Sequence, residues 1–479
     1  MKYLYVLCFL GLLCAGCEKK NHSITSPDKN INLTFSMDGE GIPYYTVIYK
    51  NDTLIQRSRL GLHLDGNPMD SALQLKDIAI GKNKYSGASL GKEYEQPQHQ
   101  YNELIAKVEK NDREMDIIFR LYNDGVAFRY WVRGYENVVI SGKMMDINFA
   151  DKVDAYWSCF EYIDTKNQYH DGNLDVMRKM FETALPDDAK HGKYPDSLFV
   201  NLPFLVKNGS KYMNFQIVTI NEPTTFNMKV DAHKPLVSTY VTKDDHHQMV
   251  VPLPYYSQWL SIGISNNSAE LLESKLVYNL SLEGDLPKEK YEHPIDFYEN
   301  NCKNNVILPF SRHYEGTKEY SMMNIPKGGY STFVHQLALH VVFNRPLSVY
   351  SDYEAYYTDK GATGKFIGNL PKSWDTMKVV DAELGRYVIV ARKDSDSENW
   401  FVGGITNAQG RESVITFDFL SPDILYKATI YEDTENSHWL TNPSDFKISE
   451  MYVRKNNTFT FKMAPGGGYG VILKEVKNP

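Results

Sequence analysis

From residue 30 onward, apolar and polar residues alternate at period two. Ile31, Leu33, Phe35 and Met37 share one parity with Asn32, Thr34 and Ser36 between them, the pattern of a half-buried strand. Met37-Asp38-Gly39-Glu40-Gly41 is turn material, residues 44–49 read as the returning strand, and Asn51-Asp52 closes it. Residues 115–132 form a second strand pair broken at Asn123-Asp124-Gly125, and residues 213–218 and 226–230 continue the series. Many punctuated strands with few helical runs predict one large β-sandwich over residues 30–286, within the length range of all-β domains.

The pattern changes over residues 287–352. Lys288-Glu289-Lys290 and the run from Asn300 to Asn305 are polar linker material. Residues 306–310 predict a short strand, and Val334, Leu337, Ala338, Val341 and Val342 fall at the spacing of an amphipathic helix. Strands return at 387–392, 400–404 and 469–473, so residues 353–479 predict a second, smaller β domain.

Residues 1–17 read as a lipoprotein signal peptide. Lys2 supplies the positive n-region, residues 3–13 an apolar stretch too short to span a bilayer, and Cys14-Ala15-Gly16-Cys17 a lipobox with Cys17 as the lipid attachment point. Residues 18–29 are a polar tether. The expected location is therefore the bacterial cell envelope, lipid-anchored on the periplasmic or cell-surface side of the outer membrane. Beyond the signal, Cys159 and Cys302 remain; export permits a disulfide between them, but spacing alone does not decide it. No Cys/His spacing suggests zinc. A net charge of −8 argues against a nucleic-acid partner. The 34 tyrosines suit strands and equally suit stacking on sugar rings.

Several segments, in order, resemble glycoside hydrolase family 97. Ser26-Pro27-Asp28, Gly41-Ile42-Pro43-Tyr44-Tyr45, Ser58-Arg59-Leu60-Gly61-Leu62, the stretch from Phe119 to Tyr130, Trp259-Leu260-Ser261-Ile262-Gly263 and Leu276-Val277-Tyr278-Asn279-Leu280 carry the likeness in the N-terminal part. His335-Gln336-Leu337-Ala338-Leu339, Trp374-Asp375, Val402-Gly403-Gly404-Ile405-Thr406 and Ala464-Pro465-Gly466-Gly467-Gly468 carry it in the C-terminal part. The resemblance implies a β-super-sandwich, a central (β/α)8 barrel and a C-terminal β domain, hydrolysing α-glucosides or α-galactosides with calcium in the site. A (β/α)8 barrel takes at least about 200 residues, and residues 287–352 cannot close one. The implied fold is thus mainly β: an N-terminal β-super-sandwich and a smaller C-terminal β-sandwich joined by a short α-containing remnant of the barrel. Within that remnant, residues 308–312 resemble the family's seventh-strand region and residues 334–343 its last barrel helix. Glu319-Tyr320-Ser321-Met322 stands where the family has Asp-Tyr-Thr-Pro, and the elements supplying acid and base are missing.

Glycoside hydrolysis needs two carboxylates flanking the bond, one of them with a raised pKa. No pair here matches the family's positions, so no catalytic residue is assigned. Glu222, in Thr219-Ile220-Asn221-Glu222-Pro223, matches the glutamate that the family's sandwich gives to calcium. Calcium takes 6–8 oxygens, so one glutamate makes a poor site, and no cofactor is expected beyond calcium by resemblance. Asp244-Asp245-His246-His247 looks like a metal cluster, but neighbours on a strand face opposite ways, which fits a solvated turn. The triple glycine 466–468 lacks the context of a phosphate loop and reads as a strand-entry bend. Arg120 and Arg129 share parity across a hairpin and can pair acids; Trp157, Tyr162 and Tyr169 suit either sugar stacking or core packing.

The expected function is a membrane-anchored, non-catalytic relative that binds α-linked glycan. The alternatives are a working calcium-dependent α-glucosidase or α-galactosidase, and a scaffold of a cell-surface glycan-uptake complex. Homo-oligomerisation follows by resemblance from the C-terminal domain. Glycan binding without turnover marks the first, turnover the second, and outer-membrane partners without glycan affinity the third.

Overall fold

The computed structural model describes residues 21–64, 67–85, 99–142, 145–158, 169–184, 198–218, 225–230, 236–241, 249–281, 301–311, 331–343 and 361–477. Glu222, Asp244 to His247, Tyr162, Cys159, Cys17 and Glu319 to Met322 lie outside them. The chain is mostly β, with sandwich-like sheets.

The strand Ile31–Met37 forms as its alternation dictates. Ile31, Leu33 and Phe35 are fully buried while the polar residues between them stay partly open. It sits inside a four-stranded sheet, paired with His22–Thr25 and Pro43–Tyr49. Facing it is a ten-stranded sheet whose centre runs through Lys211–Val218, Trp259–Ser265, Gly125–Val132 and Arg113–Tyr122. There the alternation fails, because both faces are covered: every residue of Trp259–Ser265 is buried. Met115, Ile117, Phe119, Phe128 and Tyr130 join Leu33 and Phe35 in the core between the sheets. The opposite face lies under helices Ser268–Glu273 and Leu276–Ser281, which the sequence reading did not separate from strands. The C-terminal part is a six-stranded antiparallel sheet backed by the two-stranded pair Arg411–Thr416 and Thr458–Met463.

Two expectations for the connecting segment are corrected. Residues 306–310 are not a strand: helical turns Cys302–Asn305 and Leu308–Ser311 occupy this stretch. The side chain of Asn301 caps the first turn, accepting from the backbone N–H of Lys303 and Asn304 at 3.1 and 2.8 Å. A short apolar run is equally consistent with a buried helical turn, and this cap decides it. The second correction concerns the helix Phe333–Val342, which forms as predicted with Thr332 as its N-cap but is not amphipathic. All ten residues are buried, His335, Gln336 and His340 included.

That helix can lie flat because the C-terminal sheet offers it bare backbone. A Cβ on Gly403 would stand 2.6 Å from the Ala338 carbonyl oxygen and 2.9 Å from the Val341 Cβ. On the other side of the motif, Gly404 makes room for the Tyr469 ring. Arg392 donates from Nε to the Val341 carbonyl at 2.7 Å, satisfying the helix end. Gly403→Ala is expected to lift the helix and cost about 2 kcal/mol, the range of core overpacking. A urea midpoint unchanged from that of the parent protein would count against this packing.

Candidate functional site

The register of the hairpin between Arg113–Tyr122 and Gly125–Val132 sets Ile118 opposite Arg129 and Arg120 opposite Ala127. Side chains two apart on a strand share a face, so Arg120 and Arg129 emerge together on the side away from the sandwich core. Between them lies Trp259, fully buried, with the Arg120 and Arg129 guanidinium carbons 4.7 and 4.2 Å from its ring centroid.

The pattern extends both ways. Arg120 also lies 4.6 Å from the Tyr101 ring, and its Nε donates to Glu103 at 2.8 Å. Arg129 lies 4.6 Å from the Tyr256 ring, and Tyr256 stacks on Trp131 at 5.1 Å with the rings nearly parallel. Arg133 covers Trp131 at 4.2 Å and donates to the buried carboxylate of Asp116 at 2.9 Å. The hydrogen bond to Asp116 raises the Arg133 pKa against the desolvation that lowers it. The result is a row of interleaved cations and rings, Tyr101–Arg120–Trp259–Arg129–Tyr256–Trp131–Arg133, with Tyr256 and Trp131 stacked as neighbours, running across five strands. Each cation–π contact adds roughly 0.5–2 kcal/mol according to its exposure.

Most of the row is enclosed, and its outer end reaches solvent. Tyr256 is 45% exposed and Trp131 and Arg133 are partly open, while Tyr135 just beyond is fully exposed. The indole N–H of Trp131 is buried and has no hydrogen-bond partner among the described residues. The exposed edge of the Tyr256–Trp131 stack, beside the Arg133 guanidinium, suits a hydroxylated, partly apolar ligand such as a sugar ring. The sequence signal for this end of the row is the period-two recurrence of Arg129, Trp131 and Arg133, which extends the arginine pair Arg120 and Arg129.

The other candidates resolve differently. Trp157 and Tyr169 are each 1% exposed and pack in the interior, so neither is a sugar platform. The Tyr169 backbone N–H donates to Asn304 Oδ1 at 3.0 Å, tying the sandwich to the connecting turns. The 466–468 segment is a bend entering the strand Gly468–Glu475, with Gly466 at φ 64°. Asp433 accepts there from the backbone N–H of Gly468 and Ala464 at 2.7 and 3.1 Å. Burial pushes its carboxyl up to about 6 against those hydrogen bonds. At 3% exposure its carboxyl is enclosed against that bend, and its raised pKa reflects this burial. Among the described residues no three His, Cys, Asp or Glu side chains are placed to hold a metal. Cys302 is buried and free.

The two β regions meet directly. Lys207 and the Tyr212 hydroxyl both bond Glu383, and the Val379 N–H donates to Glu273 at 2.8 Å. Leu205 and Tyr212 from the sandwich, Val306 and Phe310 from the connecting turns, Ala338 and Val342 from the long helix, and Val388 and Ile405 from the C-terminal sheet form one hydrophobic cluster.

Residues 24–282 match the family model described as Glycosyl-hydrolase 97 N-terminal, and residues 373–474 the one described as Glycosyl-hydrolase 97 C-terminal, oligomerisation. The retaining alpha-galactosidase of Bacteroides thetaiotaomicron is 32% identical over 185 residues, which are 36% of this chain and 27% of that protein. The chain therefore matches little more than a quarter of that relative's length. A family 97 enzyme from Pseudoalteromonas sp. strain K8, solved in complex with acarbose, superposes with a TM-score of 0.78 at 15% identity, covering 95% of this chain and 100% of that chain. A beta-arabinopyranosidase gives 0.69 at 13% identity over the same shares. At these identities the two structural likenesses are of fold.

Proposed function

We propose that this chain, which belongs to glycoside hydrolase family 97, is a non-hydrolytic member that recognises α-linked glycans from a lipid anchor on the cell envelope. The observation that carries the reading is the shared core of sandwich, connecting turns, long helix and C-terminal sheet. Residues 283–372, 90 in all, separate the two matched segments, and Val306, Phe310, Ala338 and Val342 among them pack in that core. A (β/α)8 barrel needs at least about 200. The residues from the sandwich to the C-terminal sheet are in this reading a remnant of it. Support for carbohydrate as the ligand comes from the open end of the cation–aromatic row, and from family 97 structures in complex with panose and acarbose.

Purified protein is expected to bind panose or acarbose by calorimetry and to release no aglycone from aryl α-glucosides or α-galactosides, with or without calcium. Sustained turnover would make it a working glycosidase instead and sink the non-hydrolytic reading. Absence of binding to any α-linked oligosaccharide, with outer-membrane partners co-purifying, would favour the scaffold. The anchor is tested separately: Cys17→Ala should abolish labelling by a fatty-acid probe and shift the chain from the membrane fraction to the soluble one. Unchanged labelling would reject Cys17 as the acylated residue.

A further inference from the structure

In the C-terminal sheet, the turn between Trp374–Glu383 and Tyr387–Asp394 meets the loop between Trp400–Thr406 and Arg411–Thr416, and each carries one arginine, Arg386 and Arg411. Asn407 clamps the two segments. Its backbone N–H donates to the Arg386 carbonyl at 2.9 Å, its Nδ2 donates to the Gly385 carbonyl at 3.0 Å, and its Oδ1 accepts from Arg411 Nη2 at 3.1 Å. Thr406 Oγ1 accepts from Arg411 Nε at 2.6 Å, and the Arg411 guanidinium lies 4.9 Å from the centre of the Tyr387 ring. The turn itself is pinned, because Gly385 has φ 73° and a Cβ there would collide with the Tyr156 ring. Both arginines therefore stand on braced backbone. What they lack is an acid. Among the described residues neither guanidinium forms an ion pair, in a chain with 60 acidic residues and a net charge of −8. Nearby Glu383 is held by Lys207 and the Tyr212 hydroxyl, and Asp381 by the Tyr387 hydroxyl at 2.9 Å. Burial lowers the pKa of Arg411, and the charge of Arg386 lowers it further.

We propose that Arg386 and Arg411 form a binding site for the oxyanion of an acidic glycan, a uronate carboxylate or a sulfate ester, with the partly open Tyr387 beside it as a face for the sugar ring. Two guanidinium groups without a counter-charge repel each other, and a bound oxyanion removes that repulsion. Arg411 gives two of its N–H groups to neutral oxygens and keeps three, while the exposed side chain of Arg386 keeps all five. A planar guanidinium meets two oxygens of a carboxylate or sulfate at once, which a lysine ammonium does not. The exposed amide of Gln409 adds a donor and an acceptor for sugar hydroxyls. A glycan fits better than a lipid headgroup because no large apolar side chain of residues 381–387 or 406–411 is exposed, so nothing here enters an acyl layer. The inference rests on the glycan-recognising reading and gives it a second site, selective for charge.

The test is calorimetry on the full chain in detergent at low salt, with α-linked trigalacturonate as the acidic probe and maltotriose as its neutral counterpart. The parent protein should bind trigalacturonate about tenfold or more tighter than maltotriose, and added salt should erode the difference. Arg386→Gln and Arg411→Gln should each weaken trigalacturonate binding about tenfold and leave maltotriose unaffected, the loss expected for one charge-assisted contact. Arg386→Lys, which keeps the charge without the fork, should fall between parent and Arg386→Gln. Arg386 is exposed, so the melting temperature of the free Arg386→Gln protein should hold or rise as the repulsion disappears. Equal affinity for the two trisaccharides, or glutamine variants that bind trigalacturonate as the parent does, would overturn the proposal. So would inorganic sulfate binding as tightly as the trisaccharide, or capture by phosphatidylglycerol vesicles, lost in Arg386→Gln, without trisaccharide binding. Panose binding that survives any of these failures keeps the general glycan reading, and turnover of trigalacturonate would remove only the non-hydrolytic one.

Discussion

Trp259→Ala is expected to lower the unfolding free energy of the sandwich by about 5 kcal/mol, more than any other single truncation in the cation–aromatic row. Removing a fully buried tryptophan leaves a cavity costing about 3–5 kcal/mol. Two cation–π contacts go with it, because both Arg120 and Arg129 lie over this ring. Those guanidinium groups are then left beside a void, with Arg120 still held by Glu103. Trp131→Ala is the matched comparison. Trp131 is partly solvated and has one cation, Arg133, over it, so its loss should cost about 2 kcal/mol. Urea unfolding followed by sandwich tryptophan fluorescence measures both. Equal losses would mean that the row is a surface arrangement and not a strut of the ten-stranded sheet. A sugar-binding role at the outer end predicts the reverse ranking for glycan affinity, with Trp131→Ala the more damaging.

Period-two alternation was enough to place Ile31–Met37 and the hairpin at Asn123-Asp124-Gly125, since one face of each pair had a core to meet. It also put Arg120 and Arg129 on one face, where the structure has them. It could not say that Trp259 lies between them, because that contact joins strands more than a hundred residues apart. The run 306–310 misled for a different reason. Burial on all sides removes the polar positions from which a period is read, and the deciding residue, Asn301, lies outside the run. The same burial removed the expected polar face of Phe333–Val342, whose two histidines are both buried. Gly403 was visible as part of a motif, but its cause, a helix carbonyl where a Cβ would be, belongs to tertiary packing. Trp157 and Tyr169 show the limit of residue type as a guide: strand tyrosines and sugar-stacking tyrosines are the same residue, and burial alone tells them apart.

Acidification from pH 6 to pH 4 should cost the fold about 3 kcal/mol, through the long helix and the bend it packs on. Burial holds His335 and His340 down to about 4, against an ordinary histidine value of 6.5. The ring of His335 is fixed between the Gly467 carbonyl and Asn305, both at 3.0 Å. A histidine depressed in the folded state stabilises fully above 6.5, and the contribution disappears as pH falls through 4. Asp433 acts in the opposite sense. Its folded value of about 6 lies above the ordinary 3.8, so the folded state holds its proton between those limits and gains on acidification. Between pH 6 and 4 the unfolded chain therefore binds two more protons at the histidines and one fewer at Asp433. The net single proton gives a slope of about 1.4 kcal/mol per pH unit. Asp38, Asp70 and Glu398, each held below its ordinary value, add to the acid loss only near the bottom of the range. Asp433→Asn removes the opposing group and should roughly double the slope, to about 3 kcal/mol per unit, whatever it does to stability at neutral pH. His335→Gln keeps a hydrogen-bonding side chain that does not titrate, leaving His340 and Asp433 to cancel and the slope near zero. Denaturant midpoints across pH 4 to 6.5 for the three proteins read these slopes directly. A parent protein whose stability is flat or rises on acidification, or an Asp433→Asn slope shallower than the parent's, would show that these groups do not carry the pH response.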